Sequence, residues 1–120
     1  MLKKTARSTL MLLLAVASAP ASATLTLCFF SPYGPGGHSL EFTGHDELQT
    51  IESHDQAPRT LDWKAYKVLE FDWKAQKVHL VYRNPGNPRL LPSFTLKGTG
   101  RNTWMRIGER RVKGDFHCGT

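Results

Sequence analysis

Apolar and polar residues alternate over short stretches of the chain after residue 23, and turn-forming residues separate these stretches. In Thr24–Phe30, for example, Leu25, Leu27 and Phe29 alternate with polar neighbours. This is the period of a β-strand, because successive side chains of a strand point to opposite faces. Similar stretches recur every eight to twelve residues or so, and no helical apolar period follows residue 23. The pattern predicts an all-β fold of seven or eight short strands, as a small antiparallel sandwich or closed barrel.

One phrase, Asp-Trp-Lys-Ala-x-Lys-Val, occurs twice, at Asp62–Val68 and again at Asp72–Val78. In each copy a polar turn leads into a strand that begins with Lys-Val. A spacing of one strand plus one turn predicts an antiparallel meander at the centre of the domain. Alternation places two sets of side chains on common faces of its strands: Lys67, Leu69, Phe71 and Trp73, and then Val78, Leu80 and Tyr82.

The first 23 residues have the features of a secretory signal peptide. Three basic residues precede the apolar run Leu10–Val16, and Ala21–Ala23 supplies small residues for cleavage. The run is well short of the roughly 20 residues that span a bilayer, so a retained membrane anchor is the weaker alternative. We therefore expect cleavage near Ala23-Thr24, one β-domain over residues 24–120, and a periplasmic or secreted location.

The two cysteines, Cys28 and Cys118, lie at opposite ends of the predicted mature chain. An even number of cysteines in an exported chain is typical of a disulfide framework. The sequence therefore predicts a disulfide between the first and last strands, which would stabilise the fold by roughly 4–5 kcal/mol in the chain-entropy account. Two free thiols, or two metal ligands completed by a histidine such as His117, are the alternatives.

Charge is distributed unevenly along the chain. The full sequence has 16 basic and 10 acidic residues, and loss of the three basic residues of the signal peptide leaves 13 − 10 = +3. Thr24–Asp62 has six acids and one base, whereas Arg83–Lys113 has eight bases and one acid. The asymmetry predicts an interaction surface, unless the two halves neutralise each other within the fold. Because an exported protein rarely meets nucleic acid, the expected partner is an acidic protein or an anionic glycan or lipid.

Motifs for catalysis and for metal binding are absent from the sequence. There is no Gly-x-Ser-x-Gly and no His-Glu-x-x-His, and no histidine pair has a ligand spacing. A pair of carboxylates for glycoside cleavage depends on distances that a sequence does not show. We expect a binding protein, and we expect neither an enzyme nor a metal or other cofactor.

Two elements are the candidate binding sites. Ser31–Ser39 is rich in proline and glycine and predicts a long exposed loop, in which Tyr33 and His38 are candidate contacts. An ordinary surface connection is the alternative. The second element is a basic pair of strands near the C-terminus, whose forked guanidinium groups suit carboxylates and phosphates. Its candidate contacts, with the glycine-rich loop Gly98–Asn102 beside them, are Arg101, Arg106, Arg110 and Arg111.

The three tryptophans are the remaining large features. Trp63 is a candidate contact, as a platform for a sugar ring or an anchor for a protein, but burial in the core is equally compatible with the sequence. Trp73 and Trp104 are expected to be buried.

The layout of the chain resembles the periplasmic inhibitors of C-type lysozymes. These are exported all-β proteins of similar size with a cysteine near each end of the mature chain, as Cys28 and Cys118 are here. The resemblance implies a disulfide-linked β-domain that binds an enzyme. The inhibitory Ser-Gly-x-x-Tyr motif of that family is absent, and the nearest segment, Gly98–Trp104, does not match it.

Together these observations predict a small exported binding protein that inhibits, or confers immunity against, a cell-wall-degrading or toxic enzyme. The alternative is a module for envelope polysaccharide or anionic lipid, which would use Trp63 and Arg106–Lys113.

Overall fold

The computed structural model describes residues 25–45, 47–55 and 58–119, so the predicted signal peptide lies outside the described residues. Within these ranges no helix is long and apolar enough to cross a bilayer. The described chain forms one turn of 3-10 helix (Trp63–Ala65) and nine strands. The strands are β1 (Leu25–Pro32), β2 (Leu40–Gly44), β3 (Leu48–Ser53), β4 (Arg59–Thr60), β5 (Tyr66–Asp72), β6 (Lys77–Tyr82), β7 (Phe94–Thr99), β8 (Asn102–Ile107) and β9 (Arg110–Cys118).

All nine strands belong to one antiparallel sheet with the order β4-β3-β2-β1-β9-β8-β7-β6-β5, and this sheet curls into a half-barrel. The all-β prediction is confirmed. The architecture differs from the prediction in detail, since there is one continuous sheet in place of two packed sheets or a closed barrel, and nine strands in place of seven or eight. Two meanders, β1–β4 and β5–β9, meet where β1 pairs with β9.

The core fills the inside of the curled sheet. It consists mainly of aromatic and aliphatic side chains from one face of each strand: Phe30, Leu40, Phe42, Ile51, Val78, Leu80, Tyr82, Phe94, Leu96, Met105 and Phe116. Phe71 of the edge strand β5 reaches across the interior, with its ring centroid 5.8 Å from that of Phe42 on β2 and 6.1 Å from that of Phe116 on β9. Because burial of each large apolar side chain contributes roughly 1.5–3 kcal/mol, these contacts hold the two ends of the sheet together.

The prediction for the shared face of β6 is confirmed, since Val78, Leu80 and Tyr82 are all buried. The prediction for β5 is wrong, because a β-bulge interrupts that strand between Val68 and Glu70. An extra residue at a bulge inverts the alternation beyond it. Phe71 therefore turns into the core, whereas Leu69 is 51% exposed.

In β1 the side chains that enter the core are Cys28 and Phe30, whereas Leu25 and Phe29 are 61% and 43% exposed. The register of β1 against β2 shifts after Thr26. Once Phe30 packs inside the half-barrel, its neighbour Phe29 has to face outward. The alternation in the sequence of β1 therefore indicates a strand, but it does not indicate which face of that strand is buried.

Cys28 and Cys118 form the predicted disulfide. They lie directly opposite each other in the β1–β9 register, with their Cα atoms 4.0 Å apart. The prediction is confirmed, and the alternatives of free thiols and of paired metal ligands are excluded. The cross-link closes the junction between the two meanders.

Candidate functional site

The outer face of β7, β8 and β9 carries four of the eight cations of the basic segment Arg83–Lys113. Leu96, Met105 and Val112 of these strands are buried, and alternation turns their neighbours outward. We name this outer surface the basic face, and it consists of Lys97, Trp104, Arg106, Arg111 and Lys113.

The strand register gathers these cations around the indole of Trp104. Lys97 and Lys113 are its direct cross-strand neighbours, and Arg106 lies opposite Arg111. The guanidinium carbon of Arg111 is 4.5 Å from the Trp104 ring centroid, a cation–π contact. Trp104 is consequently half-buried beneath an arginine, where the sequence had indicated full burial.

None of the cations of the basic face has a carboxylate within 4.0 Å among the described residues. The ion pairs among the described residues all involve histidine: His38 pairs with Asp55, and His54 pairs with two glutamates. Like charges that face each other across two strands, as Arg106 and Arg111 do, destabilise the sheet by roughly 0.2–1 kcal/mol. The basic face therefore has uncompensated positive charge that an anionic partner would neutralise.

The Pro-Gly loop comprises residues 33–39, since Ser31 and Pro32 of the predicted loop belong to β1. It lies against the N-terminal half of β9 and borders the basic face at Lys113. The Tyr33 N–H donates to the carbonyl oxygen of Lys113 at 2.9 Å, and the Arg110 side chain donates to the carbonyl oxygen of Gly36 at 3.2 Å. Gly37 packs so closely that a Cβ there would lie 3.0 Å from Val112. The loop is thus attached to the sheet by the same strand that carries the basic residues.

Tyr33 is 60% exposed, and its hydroxyl is 3.5 Å from the carbonyl oxygen of Arg101 in the β7–β8 turn. The structure places Tyr33 beside Arg101, before the start of β8, and pairs Arg106 with Arg111 at the other end of β8. Arg110 fixes the loop. Tyr33, Arg101, Arg106 and Arg111 remain the group of candidate contacts.

His38 lies apart from this group and faces another part of the fold. Its Nδ1 pairs with the carboxylate of Asp55, which also accepts a hydrogen bond from the Ser39 N–H at 3.1 Å. Its backbone N–H donates to the Met105 sulfur at 3.4 Å. The ring borders a hollow of about 310 Å³, with Arg59 and Arg89 on the other side. The visible role of His38 is to attach the end of the loop to Asp55 in the segment that follows β3.

Trp63 also lies apart from the basic face. It is 71% exposed in the 3-10 turn that precedes β5, and β5 is four strands away from β9 in the sheet. Trp73 occupies the matching place after β5 and is 39% exposed, so the prediction of its burial is wrong. Both indoles belong to turns at the edge of the sheet, where the described part of the chain has no second layer to cover them.

One cluster of titratable residues, on β2 and at the end of β3, was not predicted from the sequence. Glu41 and Glu52 lie opposite each other, and the Nε2 of His54 is 2.8 Å from one carboxylate and 3.2 Å from the other. The ligand atoms of the three residues lie within 4.8 Å of one another, which makes them the described residues best placed to hold a metal ion. No spacing motif signals the cluster, because the strand register alone creates it. The hydroxyl groups of Thr26 and Thr60 donate further hydrogen bonds to Glu41 and Glu52.

The basic face has the chemistry of a docking surface for anionic groups. Arg106 and Arg111 present planar guanidinium groups that can bind a carboxylate or phosphate through two hydrogen bonds. Lys97 and Lys113 add more mobile charges, and Tyr33 offers a rigid aromatic contact at the border. Comparisons of the chain with protein-family models, with curated proteins and with solved structures find no match.

Proposed function

We propose that this chain is a small exported binding protein of the inhibitor or immunity type, which docks its basic face on an acidic surface of a cell-wall-degrading or toxic enzyme. The observation that carries the proposal is the set of four cations around Trp104 with no carboxylate partner among the described residues. A partner that supplies carboxylates gains charge-assisted hydrogen bonds there without breaking an existing ion pair.

The residue types of the surface favour a protein partner. Tyrosine, tryptophan and arginine are the residues most enriched at the energetic centres of protein interfaces. Tyr33, Trp104, Arg106 and Arg111 combine them on neighbouring elements. The hydrogen bonds from the loop to β9 restrain Tyr33 before binding, which reduces the entropy lost on association.

Among the described residues, the acidic half of the chain forms no ion pair with the basic half. Glu41, Glu52 and Asp55 of the acidic half form their ion pairs with histidines and not with the arginines of the basic half. Two regions of opposite charge on one small domain orient it towards a charged partner and raise the rate of association.

An anionic polysaccharide is the second candidate partner. A polar hollow of about 190 Å³ beside the basic face places Arg83 and Arg106 next to Ser93 and Thr95. Two guanidinium groups with hydroxyl-bearing side chains suit a sugar acid, whose carboxylate and hydroxyls require both kinds of partner.

The test begins with capture of partners from an envelope extract by immobilised residues 24–120, followed by mass spectrometry. The affinity of the captured enzyme is then measured by calorimetry for the parent and for Arg106→Gln/Arg111→Gln. Each charge-assisted hydrogen bond contributes about 1.5–3 kcal/mol, so the double variant should bind at least tenfold or so more weakly. Lys74→Gln/Arg89→Gln removes the same charge from outside the basic face and serves as the control.

Inhibition of the captured enzyme should fall in parallel with its affinity. Equal affinity of the two double variants would show that the basic face is not the docking surface. Retention of glycan without a stoichiometric protein would favour the polysaccharide candidate over the inhibitor.

A further inference from the structure

Exposed apolar side chains are concentrated at one edge of the sheet. Among the described strands β5 is an edge strand, with a hydrogen-bonded neighbour on one side. Four large apolar residues on this strand or in its flanking turns are exposed, and we name them the β5 edge: Trp63 (71%), Val68 (37%), Leu69 (51%) and Trp73 (39%). The basic face does not include any of them, so the docking proposed above leaves this edge uncovered.

The sequence repeat explains the composition of this edge. Each copy places a tryptophan beside a lysine, so that the Lys64 and Lys74 ammonium groups lie 6.0 and 5.6 Å from the Trp63 and Trp73 ring centroids. The two Trp-Lys pairs stand at opposite ends of β5. At roughly 3.3 Å per residue, the seven-residue strand separates them by about 23 Å.

The acidic residues that open the two copies are occupied in their own turns. Asp62 accepts a hydrogen bond from the Lys64 N–H, and Asp72 accepts one from the Ala75 N–H, both at 3.0 Å. Over 62–83 there are five basic and three acidic residues, a net charge of 5 − 3 = +2. The lysine ammonium groups have no carboxylate within 4.0 Å in the described part of the chain. The β5 edge is therefore both apolar and cationic.

We propose that the β5 edge binds the surface of an anionic lipid bilayer. Tryptophan favours the interface between headgroups and acyl chains, because its ring is apolar and its N–H is polar. Lysine next to it can lay its alkyl stem on apolar surface and extend its ammonium group to a lipid phosphate. Val68 and Leu69 lie between the two Trp-Lys pairs and add apolar surface that enters the boundary region.

A hollow beside β5 matches a lipid headgroup and the upper part of its chains. It encloses about 750 Å³, and its wall includes Leu69 and Val81. Three cations line the same hollow: Lys64, Lys67 and Arg83. One carboxylate, that of Asp62, also lines it and accepts a hydrogen bond within its own turn. An apolar wall with several cations around it suits a molecule that carries an anionic head on a hydrocarbon body.

The shape of β5 favours a bilayer over another β-strand as the occupant. The bulge between Val68 and Glu70 breaks the regular ladder of backbone groups that a partner strand, or a second copy of this chain, would have to follow. A bulge and a lysine on an edge strand are also features that oppose strand addition. A lipid surface has no register to match, so neither feature hinders it.

The proposal is tested by flotation of residues 24–120 with vesicles of phosphatidylcholine alone, or with about one quarter phosphatidylglycerol. The protein should float with the anionic vesicles and not with the neutral ones, and added salt should weaken the binding. Trp63→Ala/Trp73→Ala should lower the partition coefficient about tenfold or more, because the buried apolar area determines the affinity. Leu25→Ser/Phe29→Ser removes exposed apolar surface from β1 and should change it little.

Four results would overturn the proposal. The first two are failure to float with anionic vesicles and equal binding to neutral vesicles. The third is that Arg106→Gln/Arg111→Gln loses binding to vesicles whereas the tryptophan variant retains it. The fourth is that sedimentation velocity shows a dimer for the parent and a monomer for the tryptophan variant. Circular dichroism verifies that each variant is folded. Because the edge and the basic face have no residue in common, capture of an enzyme by the basic face is unaffected by any of these results.

Discussion

Removal of the disulfide should destabilise this domain more than any single change on its surface. The variant is Cys28→Ala/Cys118→Ala, in which alanine retains most of the packing of the buried half-cystine. The cysteines are 90 residues apart, and in the chain-entropy account a closed loop of that size stabilises the fold by about 4–5 kcal/mol. The cross-link acts by limiting the conformations of the unfolded chain.

This magnitude is large beside the stability of a small domain, which is usually about 5–15 kcal/mol. The position of the disulfide adds to the effect, since the β1–β9 pairing is the place where the two meanders join in the sheet. The packing of Phe30 and Phe116 remains in the variant and should keep it folded at low temperature. At about 4–8 °C for each kcal/mol, the melting temperature should fall by about 16–40 °C.

The assay is urea unfolding followed by tryptophan fluorescence, with linear extrapolation to water. The variant should also show a steeper dependence on urea, because its unfolded chain exposes more surface. Reduction of the parent protein with dithiothreitol should reproduce the loss of stability. A loss below about 1 kcal/mol in both experiments would refute the reasoning, since it would mean that the cross-link restricts the unfolded chain very little.

Two further predictions concern the closely packed Gly114 and the ionisation of Tyr66. Gly114→Ala should lower the free energy of unfolding by about 1–3 kcal/mol, because the added Cβ would lie 2.5 Å from the Ser31 carbonyl oxygen. Gly34→Ala is the control, since a Cβ at that position meets nothing within 4 Å. Equal stability of the two variants would contradict the contact at Gly114. Burial, with a smaller contribution from Asp62, raises the pKa of Tyr66, so the folded state holds the phenol proton more tightly than the unfolded chain does. This stabilisation is complete below the unfolded pKa of about 10 and is lost as the pH rises above it. Tyr66→Phe should flatten that alkaline decline in urea titrations, and an unchanged slope would exclude the phenol as its cause.

Much of the fold follows from interactions that are local in the sequence. The alternation in Val78–Tyr82 predicts both a strand and its buried face, since the preference of side chains for opposite faces operates within a few residues. Turn residues such as those of the Asp-Trp-Lys repeat end one strand and begin the next. The disulfide was predictable for a different reason, because Cys28 and Cys118 have only each other to pair with.

The candidate site could be predicted only in part. The basic segment was evident from composition, and Arg106 and Arg111 do share one surface. That Lys97 and Trp104 belong to the same surface depends on the β7–β8 register. The attachment of the Pro-Gly loop to β9 through Arg110 joins residues 74 positions apart, and a sequence pattern has no information about such a contact.

Strand content, turns, charge asymmetry and the disulfide were determined by the sequence alone, because each depends on neighbouring residues or on simple counting. The tertiary structure decided which face of β1 is buried, where β5 bulges, and that His54 lies between Glu41 and Glu52. Those features depend on strand register and on the curl of the sheet. Register and curl are set by packing between residues distant in the chain. The packing of Phe71 against Phe42, on the far side of the half-barrel, stabilises the bulged β5 more than regular alternation of that strand would.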